Sequence, residues 1–172
     1  MATLPIGPPI RLDDRAIDLG PRLPVPAYHA IERWHPERIG AMAIYCSDGR
    51  WGEAMDEFCH RHLQIPRYDR WAVPGGPAWV ATREPDDAVR DQLDFLVHAH
   101  ELERLVLISH YGCAWYGEQL GRSPDECLAV QAADLETAAA ALREWYTGMQ
   151  VEMYLAVQQH GWVTFHRWAG PT

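Results

Sequence analysis

Three short apolar runs limit the folds open to this chain. They are "IGAMAIYC" (residues 39–46), "DRWAV" (69–73) and "RLVLIS" (104–109). Each is too short for a stable helix of its own, and unbroken hydrophobicity at that length fits a strand buried on both faces. The segments between them have a different period. "WGEAMDEFCHRHLQ" places Met55, Phe58, Cys59, His62 and Leu63 at helical spacing, and "EPDDAVRDQLDFLVHAHEL" does the same with Val89, Leu93, Leu96, Val97 and His100. The second of these opens on acidic residues, which a helix N-terminus favours. Pro74 and two glycines stop the middle strand. "SPDE" then starts a third helix, with Ser123 as N-cap, Pro124 at the first helical position and Glu126 closing a capping box, and this helix runs to about Tyr146. "VEMYLAV" and "WVTFHRW", separated by a turn at Gly161, read as a terminal strand pair. Strands alternating with helices predict an α/β fold with a mostly parallel central sheet flanked by helices.

The chain has 172 residues, enough for one domain with a substantial core. Six of its 13 prolines fall within residues 1–26. That density rules out a long helix there and predicts an extended N-terminal arm, leaving residues 27–172 as a single α/β domain. The net charge of −9 speaks against a nucleic-acid partner, whose phosphates it would repel. No run of eighteen apolar residues predicts a membrane span. The first residues lack the charged start and long apolar run of a signal peptide. The expected setting is cytoplasmic and reducing, where the four cysteines stay free or bind metal.

In parallel sheets, ligands bind beyond the carboxyl ends of the strands. Cys46 closes the first predicted strand. His110 follows the third, with Cys113 three residues on in the turn to the next helix. Two thiolates and one imidazole suit zinc with a fourth position open to water, and thiolates argue against magnesium or calcium. A lone cysteine at a strand end is ordinarily a small buried hydrophobe. The meeting of Cys46 with His110-x-x-Cys113 at one sheet edge is harder to assign to packing.

"CSDGR" (46–50) followed by "HYGC" (110–113) resembles the beta-class carbonic anhydrases, whose signatures are C-x-D-x-R and H-x-x-C. The likeness spans roughly residues 39–121 and is to the short members of that class. It implies a zinc lyase that hydrates CO2 reversibly to bicarbonate through a zinc-bound hydroxide. Cys46, His110 and Cys113 would be the zinc ligands, and Asp48 and Arg50 a dyad beside the open position. It also implies a homo-oligomer, dimeric or built from dimers. A carboxylate taking the nucleophile's proton in a hydrogen bond would aim its attack. Arg50 would hold that carboxylate off the metal with a forked, charge-assisted bond. The chain departs from the class where R-N-A-G-N is usual: it carries "VPGGPAW" (73–79), which keeps a tight turn and adds the bulk of Trp79.

Two other readings stand beside this one. The same scaffold would accept carbonyl sulfide or carbon disulfide, linear analogues of CO2. A zinc-binding regulatory protein without catalysis would need neither Asp48 nor Arg50. A cysteine phosphatase is weaker again, because Gln119 stands six residues after Cys113, where a phosphate loop needs Arg. His60 and His62 point about 200° apart on a helix and cannot share an ion. The same geometry sets aside His98 and His100. Cys59 and His62 are expected to pack in the core, and Cys127 to be a plain thiol in the first turn of its helix.

Overall fold

The structure, a computed structural model, describes residues 27–28, 30–32, 34–35, 39–82 and 87–170. The predicted arm over residues 1–26 lies outside them. Five strands form one sheet: β1 (Ala41–Cys46), β2 (Asp69–Val73), β3 (Arg104–His110), β4 (Gln150–Gln159) and β5 (Trp162–Arg167). Their spatial order is β2-β1-β3-β4-β5, with β4–β5 antiparallel and every other pairing parallel. The predicted α/β class and terminal strand pair are therefore observed.

β1 is buried at all six residues, and β3 at all but Arg104. Their side chains alternate between two cores, as strand geometry requires. Met42, Ile44, Leu105 and Leu107 face one layer, and Ala41, Ala43, Tyr45, Val106 and Ile108 face the other. The second layer is closed by α1 (Gly49–Glu57) through Trp51 and Met55, followed by a π-turn (Phe58–His62) that adds Phe58 and Cys59. The first layer is closed by α3 (Asp87–Ala99) and α5 (Pro124–Trp145) through Val89, Leu93, Val97, Leu135, Ala138 and Leu142. Replacing a fully buried leucine such as Leu93 by Ala would cost about 2–5 kcal/mol. Two shorter helices, α2 (Ala78–Ala81) and α4 (Ala114–Leu120), lie in the connections.

The predicted helix start at Ser123 is borne out. Its hydroxyl accepts from the Glu126 amide at 3.4 Å, and Glu126 Oε2 accepts from the Ser123 amide at 2.9 Å. One expected core position is corrected: His62 is exposed and stacks on Phe58 at 5.2 Å, whereas Cys59 is fully buried. The cause is the π-turn, in which Leu63 N–H reaches back to Phe58 O and widens the helical repeat.

The chain leaves β1 toward β2 and returns to the other side of β1 as β3. That reversal makes the carboxyl ends of β1 and β3 the switch point where α/β sheets open a crevice. Tyr45 pairs with Ile108, so the last residues of both strands, Cys46 and His110, reach the same edge.

Candidate metal centre

Cys46 continues the face of Met42 and Ile44, and His110 continues the face of Val106 and Ile108. They come from opposite sides of the sheet and meet over its end. Cys113, at the N-cap of α4, completes the group. The ligand atoms of Cys46, His110 and Cys113 all lie within 4.8 Å of one another, and the two sulfurs are 3.7 Å apart. All three residues are buried. Among the described residues this is the only cluster of its kind.

His110 shows most directly what the cluster can do. Its Nδ1 lies 3.1 Å from the Tyr111 carbonyl, which can only accept, so Nδ1 carries the proton. In the neutral ring Nε2 then presents its lone pair, and by geometry it is buried without a hydrogen-bond partner. Buried polar atoms are nearly always satisfied, so an unsatisfied ring nitrogen on a residue that meets two thiols fits a metal ligand. The Trp51 ring, 4.5 Å from the imidazole, supports it from the α1 side.

The thiols are prepared unequally. A hydrogen bond from Cys113 is the chief cause that holds the Cys46 thiol well below its ordinary pKa; burial opposes it, and the His110 side chain and the Asp48 and Gly75 amides help. The Cys113 thiol is pushed up, first by its bond to Cys46 and then by burial, although the Tyr116 and Trp115 amides partly offset this. The short sulfur–sulfur contact thus favours one thiolate and one thiol in the pair. Gly75 and Gly76 are needed for this geometry. Both have positive φ, and a Cβ on Gly76 would lie 2.7 Å from the Tyr45 carbonyl carbon and 2.8 Å from the Cys46 nitrogen. The "VPGG" turn is thereby pressed against the end of β1.

Asp48 and Arg50 stand beside Cys46 at the start of α1. Asp48 is the N-cap, its Oδ1 accepting from the Arg50 amide at 3.1 Å. The Arg50 side chain also binds it, Nε to both oxygens at 2.9 and 3.1 Å and a terminal nitrogen to Oδ2 at 2.5 Å. These Arg50 hydrogen bonds hold the Asp48 pKa at about 2. The carboxylate is an acceptor at any ordinary pH.

The histidines set aside stay apart from the centre. His60 and His98 are exposed, and the His100 Nδ1 is bound to Asp69 Oδ2 at 2.6 Å. Cys127 is a buried thiol packed on the same small cluster as Cys46 and Cys113. The sequence reading missed Trp51, Gln131 and Trp115. Gln131 Nε2 donates to the His110 carbonyl at 2.8 Å, and the Trp115 ring lies where a Cβ on Gly75 would come within 2.6 Å. Only Trp115, two residues past Cys113, had a signal in its spacing.

The fold and this cluster define an α/β protein with a cysteine–histidine–cysteine group at the sheet's switch point that could hold a metal ion. Residues 37–164 match the family described as "Putative carbonic anhydrase", and the chain belongs to that family. No curated protein matches the sequence significantly. Among solved structures, the chain is similar to the β-carbonic anhydrase CafA of Aspergillus fumigatus, at 17% identity over 78% of each chain with a TM-score of 0.45. It is also similar to β-carbonic anhydrase isoform I (TvaCA1) of Trichomonas vaginalis, at 14% identity over 74% of this chain and 82% of that chain, with a TM-score of 0.47.

Proposed function

We propose that this protein hydrates CO2 reversibly to bicarbonate, with zinc held by Cys46, His110 and Cys113 and with Asp48 and Arg50 as the dyad beside the open position. The observation that carries the reading is the buried cluster of Cys46, His110 and Cys113, whose ligand atoms lie within 4.8 Å of one another. When bound, zinc supplies the Lewis acidity that makes water a nucleophile near neutral pH. Asp48 takes one hydrogen bond from the attacking water and so points its lone pair at the carbon. Arg50 ties both Asp48 oxygens and keeps the carboxylate from turning toward the metal. The amides of Asp48, Gly75, Trp115 and Tyr116 share the charge of the two thiolates.

A second reading keeps this machinery and changes the substrate to carbonyl sulfide or carbon disulfide. Trp79 and Trp115, with ring centroids 6.3 Å apart beside the Gly75–Gly76 turn, favour it because they add polarisable apolar surface next to Cys46. One experiment separates the two. Purified zinc-loaded protein is assayed for CO2 hydration by stopped-flow with a pH indicator, and for hydrogen sulfide release from each sulfur analogue. CO2 turnover well above sulfide release supports the first reading; sulfide release alone replaces it with the second. Absence of both leaves a non-catalytic metal protein.

The same reading makes the protein a cytoplasmic homo-oligomer built from dimers. Four free cysteines suit a reducing compartment. Tyr28, Ile31 and Trp34 are 75%, 89% and 52% exposed, an apolar stretch suited to burial against a second copy. Light scattering at micromolar concentration checks this; a monomer refutes it.

A further inference from the structure

We propose that α5 is a clamp on the ligand loop and that Gln131 is a positioning residue for His110. This rests on the reading above that Cys46, His110 and Cys113 hold zinc. Three side chains of α5 reach segment 110–116. Gln131 Nε2 donates to His110 O at 2.8 Å, Asp125 Oδ1 accepts from Tyr111 Oη at 2.6 Å, and Asp134 Oδ2 accepts from Tyr116 Oη at 2.7 Å. They hold the chain on both sides of Cys113. Between the two ligands sits Gly112 with φ +71, a residue that cannot stiffen the loop by itself.

The peptide joining His110 to Tyr111 shows how the clamp acts. Its N–H donates to Ala156 O at 2.8 Å and its carbonyl accepts from Gln131, so the plane is fixed from both ends. The next carbonyl, that of Tyr111, accepts the His110 Nδ1 proton. The imidazole orientation, and hence the aim of Nε2, follows from the backbone that Gln131 fixes. Packing alone does not explain a glutamine there. Gln131 is 1% exposed and its Oε1 has no partner, so an apolar side chain of equal volume would be less costly to bury. Its amide is retained at a position where its one observed bond is to the backbone of a ligand residue.

The test uses metal-free full-length protein and measures zinc affinity by competition with a chromophoric chelator, with far-UV circular dichroism and thermal melting on the same samples. Gln131→Met keeps the volume and removes the donor. Its zinc affinity should fall about 10–100-fold, the range for losing a group that orients a metal-bound imidazole. Leu135→Ala, on the same helix and equally buried, should lower the melting temperature and leave zinc affinity at the wild-type value. Unchanged affinity in Gln131→Met, or equal weakening in Leu135→Ala, overturns the clamp. Should Gln131→Met fail to fold, Tyr116→Phe decides: it removes one oxygen and should weaken zinc severalfold, and unchanged affinity overturns the proposal. Wild-type protein that takes up no zinc overturns both this inference and the metal reading; zinc uptake with unaltered variants overturns the clamp alone.

Discussion

Two polar clusters lie at opposite ends of the sheet, the first partly exposed and the second buried, and they differ most in how far their groups are satisfied. At the amino end of β3, Arg104 donates to Glu152 Oε1 at 2.6 Å and to Leu63 O at 3.1 Å. Gln150 Nε2 and Tyr154 Oη also donate to Glu152, at 3.2 and 2.7 Å. At the carboxyl end, His110 Nε2, Ser109 Oγ and Gln131 Oε1 are buried without partners. Both clusters bury polar groups in a low-dielectric layer, but only the first is closed. A satisfied cluster has no capacity left for a ligand, and an unsatisfied one is costly unless something binds to it. The cysteine–histidine–cysteine cluster falls on the unsatisfied side.

The largest effect that would break this comparison is loss of the metal. Wild-type protein should carry about one zinc per chain, as a single three-residue site requires. The Cys46→Ala, Cys113→Ala double variant should carry almost none by elemental analysis; full occupancy in it would show that the cluster is not the site. Next in size are the dyad variants. On the proposed reading, Asp48→Ala would remove the acceptor that aims the nucleophile, and Arg50→Ala would free Asp48 to occupy the open position. Each should lower kcat/KM by on the order of 100-fold while keeping zinc near the wild-type level. Wild-type rates in either variant would reduce the pair to a helix cap with a surface ion pair.

How much of this was legible before the structure depends on the distance over which each feature is specified. Cys46, Asp48, Arg50, His110 and Cys113 sit in two short motifs at strand ends, and strands of that hydrophobicity declare themselves locally. The capping box at Ser123 is local for the same reason. Gln131 is twenty-one residues from the carbonyl it holds, inside an Ala-rich helix, and no spacing rule connects the two. The exposure of His62 turns on a π-turn, which departs from the helical period on which the spacing argument rests. The short α2 helix follows a turn whose glycines were visible, but the lock on Trp79, Nε1 to Pro74 O at 2.7 Å, was not.

The satisfied cluster offers a smaller effect with a pH signature. Burial alone would raise the Glu152 pKa, but the bonds from Tyr154 and Arg104 outweigh it and the net shift is downward. A depressed carboxylate contributes stability above its unfolded pKa and loses it as pH falls through the folded one. Glu152→Gln should therefore be less stable than wild type at neutral pH, by about 2 kcal/mol once the partial exposure of Arg104 is allowed for. The deficit should shrink as pH falls below the ordinary glutamate range. Urea unfolding at neutral and acid pH measures both points. Zinc content should not change, and a variant that loses zinc would mean that the two ends of the sheet are coupled.

The smallest effect is also the most direct comparison, because one chemical change can be made in both clusters. Tyr154 and Tyr116 are each buried and each donate to a carboxylate at 2.7 Å, to Glu152 and Asp134 respectively. Burial raises both phenol pKa values, that of Tyr154 to about 12, so both remain neutral donors at neutral pH. Phenylalanine in place of either keeps the ring contacts, including the edge of Tyr154 against Phe58 at 4.9 Å and that of Trp115 against Tyr116 at 5.0 Å. Each substitution removes one hydrogen bond to a carboxylate and should cost about 1.5 kcal/mol of stability, the low end for a charged acceptor. The stability losses should therefore be similar, and only the zinc affinities should differ. Tyr154→Phe should bind zinc as wild type does, because Glu152 belongs to a network that is complete without metal. Tyr116→Phe should bind it more weakly, because its hydroxyl anchors the helix that follows Cys113. Equal zinc affinities in the two variants, measured beside equal melting shifts, would mean that the metal centre is held by its own loop and that α5 adds only core.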